Sequence, residues 1–462
     1  MALGRCHMVS AVRAGLSRLP FVALLVLAIM ALSFVFMMLC RYEQNRRNAG
    51  GAGSPQSSAV AYGEELPATG CFTKSITYTC IDAPGRETVS PVVWDDGWFF
   101  GDMRTYNHDL ARASSVLAAL AYSESSHYQE SYQTPPYMEN ALAELGFDEV
   151  TTASYEYRSE VMDQMLNLVT QREDTVAYTL ARKRVTGADG STRSVILVSV
   201  RGSYGSEWLS NLKIEGVSPE GETALSEDQE ARYDHSGYVE AASEVSQAVA
   251  PWVRESHRRG DQVTLLLVGH SRGGAIANLV AAQADDELAA LAEDAQPQDG
   301  LELAAGDAVA GYTFASPGCT TSTHAHAARY GNIFNIANPA DLMPALPLAS
   351  WGYARYGVDM NLPAMGEEGF DTQFASMSSA YTELTGEEDP YDPEADQAVR
   401  LVVGEVGAEV GSVDELVTPG GIAAVAQACA RHIDPTRILC GHYPSVYISW
   451  MYTIEADDLT LS

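Results

Sequence analysis

The sequence predicts an α/β fold: a mainly parallel central sheet flanked by helices. Three observations carry that prediction. Apolar, β-prone runs (Thr175–Arg184, Ser194–Val200, Val263–Val268, Asp307–Ala315 and Asn332–Ala337) alternate with helical segments, and alternation of this kind builds parallel sheets through crossover helices. Ser194–Val200 is rich in β-branched residues and Val263–Val268 is apolar and β-prone, as strands buried on both faces are. The second of them runs through Gly269-His270-Ser271-Arg272-Gly273 towards Ala275–Ala282, a stretch rich in good helix formers with small residues where a helix would pack on a sheet.

Strand, tight turn and helix with Gly-x-Ser-x-Gly at the turn form a nucleophile elbow. The turn forces the serine into a strained backbone conformation, and Gly269 and Gly273 leave room for strand and helix to approach. Ser271 Oγ is then held at the open end of the sheet. The N–H of Arg272 falls at a helix N-terminus, where it can bind a developing oxyanion.

The chain has 462 residues, enough for one large domain or two. Its net charge of −33 argues against nucleic acid as a partner and against charge-driven binding to anionic lipid. No repeat of solenoid or propeller period is present. The seven cysteines, Cys6, Cys40, Cys71, Cys80, Cys319, Cys429 and Cys440, form no Cys-x-x-Cys pair, which argues against zinc and thioredoxin-like chemistry. Cys71/Cys80 and Cys429/Cys440 are local pairs: bridged in an oxidising compartment, or left as buried free thiols. Neither a cofactor nor a metal is implied. His324 and His326 lack a third ligand at a recognisable spacing and read as a surface pair.

In chain order, residues 1–19 form a short basic start with Arg5, Arg13 and Arg18. Residues 20–40 follow as a transmembrane anchor, Ser33 being the one clearly polar residue from Phe21 to Cys40; a helix of that length spans about 30 Å of hydrocarbon. Met37-Met38-Leu39-Cys40-Arg41 offers no small-x-small cleavage site. Arg41, Arg46 and Arg47 balance the arginines on the near side, so the positive-inside rule nearly ties. With no second span, the expectation is a single-pass protein of the cell membrane with its catalytic domain outside.

Residues 41–90 read as a flexible linker, rich in Gly, Ala and Ser over its first half, and 91–462 as the folded domain. Within that domain Asn107–Tyr122 has helical spacing and a capping start. Met138–Leu145 is a second helix, Ser159–Gln171 a third, and Ser236–Arg254 a long helix leading to the nucleophile strand. Glu207–Glu215 is amphipathic, and Ser218–Tyr233 is acidic and loop-like. Between Leu346 and His442 the sequence is helical and acidic. Its cluster Glu387-Glu388-Asp389-Pro390-Tyr391-Asp392-Pro393-Glu394 lacks EF-hand spacing and reads as a solvated loop.

Four separated segments together resemble the class 3, or fungal-lipase-like, branch of the α/β-hydrolases. They are Val198-Ser199-Val200-Arg201-Gly202-Ser203, His235-Ser236-Gly237-Tyr238, the elbow, and Tyr312-Thr313-Phe314-Ala315-Ser316-Pro317. A further run, Ile333 to Pro347, follows the last of them. The resemblance spans roughly residues 100–450 and implies an α/β-hydrolase fold. It makes Ser203 an oxyanion-hole residue and places the triad aspartate, Asp341, just ahead of the prolines. It also implies a lid beginning after Ser203, with Trp208, Leu209 and Leu212 on one helix face. Arg272 stands where the family more often has leucine, but only its backbone N–H is needed.

Acyl transfer needs a nucleophile, a base, a group that orients the base, and oxyanion donors. Ser271 is the nucleophile, Asp341 the orienting acid, and Ser203 and Arg272 the donors. The base lies near the C-terminus, at His432 or His442. His432 neighbours Arg431, a cation that opposes protonation. His442 follows Gly441 on a loop that the apolar-aromatic Tyr443–Trp450 can pin, and the family's histidine likewise precedes a Tyr-containing helix; His442 is therefore the expected base. His270, beside the nucleophile, reads as structural. The expected function is a membrane-anchored serine ester hydrolase, a lipase or carboxylesterase, acting on lipid or other acyl esters. An acyltransferase with the same triad and a non-catalytic surface binding protein on a hydrolase scaffold are the alternatives.

Overall fold

The computed structural model describes residues 68–129, 133–155, 176–203, 236–293, 300–412, 415, 418–432 and 440–461. A long hairpin comes first: β1 (Cys71–Cys80) and β2 (Ala83–Asp95), paired antiparallel. Helices α1 (His108–Gln129) and α2 (Tyr137–Glu144) follow, then strands β3 (Glu149–Thr151), β4 (Tyr178–Thr186) and β5 (Thr192–Val200). Helix α3 (Ser236–Arg258) leads to β6 (Gln262–His270), and α4 (Arg272–Ala292) to β7 (Ala308–Phe314), β8 (Ile333–Ala337) and β9 (Val358–Asn361). Helices α5 (Phe370–Thr385), α6 (Ala395–Glu409), α7 (Pro419–His432) and α8 (Pro444–Thr453) and a short β10 (Thr460–Leu461) complete the fold.

Strands β3 to β10 form one eight-stranded sheet in the spatial order β10-β9-β8-β7-β6-β5-β4-β3. The run from β5 to β9 is parallel, and the outer pairs at both edges are antiparallel. This is the mainly parallel, helix-flanked sheet that the sequence predicts. Val200 pairs with Gly269, and His270 with Phe314. The C-terminal ends of β5, β6 and β7 therefore stop at one edge, and the loops that leave them converge there.

The continuous apolar strands divide between two cores by their two-residue period. Val195 and Leu197 of β5 and Leu266 and Val268 of β6 face one side, with α1, α8 and the hairpin. Ile196, Val198, Leu265 and Leu267 face the other, with α3 and α4. A third, smaller core joins α6 and α7 to Leu348 through Val402, Val406, Val410 and Ala428. Helix α1 starts where its capping residue predicts: Asn107 Oδ1 accepts the Leu110 N–H at 3.0 Å.

Four expectations meet the structure differently. Residues 71–90, assigned to a linker, are the hairpin, and the compact unit runs from Leu66 to Ser462. Ile76, Tyr78 and Trp94 alternate into the core and are fully buried. Asp96, just past β2, accepts from Trp94 Nε1 at 3.0 Å and from the Gly70 N–H at 2.8 Å, and pairs with the buried Lys183 of β4 at 2.7 Å. That buried charge pair fastens the hairpin to the sheet. Cys71 and Cys80 are free, because they end a ten-residue strand whose termini lie about 30 Å apart, while a bridge needs Cα atoms within about 7 Å. Cys429 is also a free thiol. The acidic cluster does not all face water: Tyr391 is buried against the main core.

The expected anchor 20–40, the helix Ser159–Gln171 and the segments Glu207–Glu215 and Ser218–Tyr233 lie outside the described residues. Among the described residues no helix is long and apolar enough to cross a membrane.

Glu124, on the buried face of α1, accepts the Met138 N–H at 2.9 Å. Burial raises its carboxyl from 4.5 to about 7. A raised pKa means that the fold favours the protonated acid, so this stabilisation is present below about pH 4.5 and is lost as the pH rises through about 7. Asp285, whose buried carboxyl is raised to about 8, adds a fall of the same sign, so urea melts should show wild-type stability falling over that interval by on the order of 3 kcal/mol more than that of Glu124→Gln.

Candidate active site

The site forms where β5, β6 and β8 end. Ser271 has φ 58° and ψ −133°, a strained conformation for a residue with a Cβ. Its N–H donates to Phe314 O at 2.9 Å, and α4 begins at the next residue. The flanking glycines are required by contact. A Cβ on Gly269 would stand 2.3 Å from Gly273 O, and one on Gly273 would stand 2.2 Å from Val200 O. The elbow turn thus lies directly on the end of β5. Gly202, in the loop leaving β5, is equally confined: its Cβ would fall 3.1 Å from Ser271 Cβ. That contact brings the Arg201-Gly202-Ser203 loop against the serine, and Ser203 is buried there.

His442 stands in a short helical turn, Cys440–His442. Its Nε2 is 2.9 Å from Ser271 Oγ and its Nδ1 is 2.7 Å from Asp341 Oδ2. A carboxylate only accepts, so Nδ1 carries the proton and Nε2 is free to take one from the serine. All three side chains are shielded: Ser271, Asp341 and His442 are 4 %, 2 % and 1 % exposed. The buried carboxylate has further donors, Tyr447 OH at 2.8 Å and the Met343 N–H at 2.9 Å. Burial, with the Asp341 charge beside it, keeps the Tyr447 phenol protonated.

The sequence-assigned residues therefore separate cleanly. Ser271, Asp341 and His442 meet in one hydrogen-bonded line, with Ser203 and the α4 N-terminus at Arg272 beside it. His432 is elsewhere: it pairs with Glu405 at 2.7 Å across α6 and α7. His324 is exposed, and His326 Nδ1 meets Gly357 O at 2.8 Å. His270 is structural in its contacts, bonded to Tyr122 OH at 2.9 Å and to His442 O at 2.8 Å. The lid residues Trp208, Leu209 and Leu212 lie outside the described residues. Sequence reasoning missed Tyr122, Asn338 and the contact of Tyr447 with Asp341. Only Tyr447 carried a signal, as part of the aromatic segment expected to pin the histidine loop.

Fold and site together define a hydrolase scaffold of the α/β class with a Ser-His-Asp arrangement. The family is narrower. Residues 197–351 match the model described as lipase (class 3), so the resemblance read from the sequence holds over that stretch, and the chain is a lipase-type ester hydrolase. The match includes Ser203, Ser271, Arg272 and Asp341 and ends before His442. Among solved structures, a triacylglycerol lipase whose catalytic centre is described as a serine protease triad is similar at 17% identity. It covers 56% of this chain and 82% of its own, with a TM-score of 0.36. A Rhizomucor miehei lipase propeptide complex is similar at 16% identity, over 67% of this chain and 78% of that one, with a TM-score of 0.35. Lipase II from Rhizopus niveus is similar at 16% identity, over 55% and 82%, with a TM-score of 0.34. Curated protein sequences include no match.

The elbow's clearance can be tested alone. Gly273→Ala should destabilise the fold by about 1–3 kcal/mol, as overpacking does, because its methyl meets backbone and not a side chain that could swing away. A urea midpoint equal to that of the wild type would show that β5 and α4 can separate at this point.

Proposed function

We propose that this chain hydrolyses acyl esters through Ser271, with His442 as base and Asp341 as its orienting carboxylate. The observation that carries the reading is the unbroken hydrogen-bonded line from Ser271 Oγ through both ring nitrogens of His442 to Asp341. His442 Nε2 takes the Oγ proton as Oγ bonds to the acyl carbon. The carbonyl oxygen becomes an oxyanion, which Ser203 and the Arg272 N–H receive; one such donor is worth about 3 kcal/mol in the transition state. Collapse breaks the bond to the alcohol oxygen, and His442 returns its proton to that leaving group. Water, deprotonated by the same nitrogen, then attacks the acyl-enzyme and releases the acid. Tyr447 and the Met343 N–H hold Asp341 while the imidazolium forms.

The substrate class that fits is the acyl ester of a lipid, in keeping with the family match. Anchoring by residues 20–40 would bring the enzyme to such substrates at the cell surface, and the acidic chain outside would be held there without attraction to anionic headgroups.

A fluorophosphonate probe should label Ser271 in the wild type and nothing in Ser271→Ala. Ser271→Ala and His442→Ala should each lower kcat on a short p-nitrophenyl ester by about 10⁴-fold or more, with circular dichroism unchanged, while His432→Ala stays at the wild-type rate. Loss on His432→Ala with His442→Ala active would move the base. Rates across p-nitrophenyl esters of rising chain length, with triglyceride and phospholipid alongside, read the acyl preference.

Protease added to intact cells should remove the catalytic domain from the membrane. Full protection would reverse the orientation.

A further inference from the structure

The base is the triad member on the least regular backbone. Ser271 and Asp341 leave strands of the sheet, whereas His442 sits on a single turn ahead of α8. The carbonyls on either side of its peptide plane are both held. Asn338 Nδ2 donates to Gly441 O at 2.9 Å, and His270 Nε2 donates to His442 O at 2.8 Å. A carbonyl only accepts, so His270 carries its proton on Nε2. Its Nδ1 accepts from Tyr122 OH at 2.9 Å, which fixes that tautomer. The Asn338 amide is oriented in the same way. Its Oδ1 accepts the Ala340 N–H and the Tyr391 OH, each at 3.1 Å, leaving Nδ2 aimed at Gly441. Both side chains are buried. The turn lies tight against this arm: a Cβ on Gly441 would stand 3.0 Å from Ala340 O and 3.3 Å from Asn338 Nδ2.

We propose that His270 and Asn338 are positioning residues that clamp the peptide of the base from its two sides, one from the nucleophile's own strand and one from the segment bearing Asp341. This rests on the reading of Ser271, His442 and Asp341 as the catalytic triad. His270 immediately precedes Ser271, and Asn338 lies in the turn whose carbonyl accepts the Asp341 N–H at 2.9 Å. Each arm therefore references the His442 backbone to the residue that its ring must reach. The His270 ring, 4.8 Å from the His442 ring between centroids, is kept neutral by burial and by that neighbour. It donates its proton without competing for the one from the serine. Tyr391 brings the acidic segment of the long insertion into the Asn338 arm.

The clamp separates from mere packing by what it changes. His270→Phe keeps a buried ring and removes the donor. Asn338→Asp keeps the acceptor and puts an oxygen toward Gly441 O. Each should lower kcat on a short soluble ester by about 100-fold, the cost of displacing a catalytic group by about 1 Å, with KM unchanged. Fluorophosphonate labelling of Ser271 should slow in proportion. The deshielded proton NMR signal of the His442–Asp341 bond should broaden or shift. His270→Gln, which restores an N–H donor, should recover part of the rate. Tyr122→Phe removes one oxygen and should cost about tenfold in kcat, reading the same arm should His270→Phe not fold. Folded variants with wild-type kcat and an unmoved proton signal would overturn the clamp. An unlabelled wild type, or Ser271→Ala with wild-type esterase activity, would instead overturn the triad reading on which it rests.

Discussion

The structure depends on the close approach of three backbones around one serine. The end of β5, the turn after β6 and the first turn of α4 meet at distances that exclude any Cβ on Gly202, Gly269 or Gly273. That contact forces Ser271 to positive φ, and the Phe314 carbonyl holds it there from the next strand. The strained serine is therefore a property of the sheet. Parallel strands in register end together, and a helix that starts immediately at such an end must turn within one residue. The same geometry aims Ser271 Oγ outward and puts the Arg272 N–H at a helix start.

A second constraint comes from burying the hydrogen-bonded line of Ser271, His442 and Asp341. Asp341 is removed from water, and a buried carboxylate is tolerable only when its lone pairs are filled. His442, Tyr447 and the Met343 N–H fill them. Tyr447 belongs to α8, the helix that follows His442, so the packing of α8 on α1 and α5 also delivers a donor to the acid. The aromatic segment expected to pin the histidine loop does so through polar contact as well as apolar burial.

The parts of the fold that were legible are those with a local physical signature. Continuous apolar strands, the glycines of the elbow and the Asn107 cap each announce themselves in a few residues. Ser271 and Asp341 follow from strand-end positions, and His442 from Gly441 and the aromatic run behind it. The hairpin was hidden because its strands bury one face only, through Ile76, Tyr78 and Trp94, while the outer face of β1 carries Thr73, Ser75 and Thr77, like a linker, and that of β2 the strand-breaking Pro91. Of the two readings left open for Cys71 and Cys80, the bridge is excluded because the two are near in sequence but separated by an extended strand. Asn338, Tyr122 and the role of His270 were not legible, because their meaning lies in contacts with residues 100 or more positions away in sequence for Asn338–Gly441 and His270–His442.

The long segment between Asp341 and His442 could have left the base poorly tethered, since closing a longer loop costs entropy. The structure divides that span into pieces with their own supports. Helices α6 and α7 fold around a small core that also takes in Leu342, Leu346 and Leu348 of the segment after Asp341. Arg355 ties the Ser316 and Pro344 carbonyls together at 2.9 and 2.7 Å while paired with Asp359. Helix α5 and Tyr391 join the main core. The described parts of the insertion are thus fastened to the segment that follows Asp341 and to the main core. Its outer surface, including the exposed Leu401 of α6 and the acidic residues around Tyr391, takes no part in the contacts that set the spacing of Ser271, His442 and Asp341.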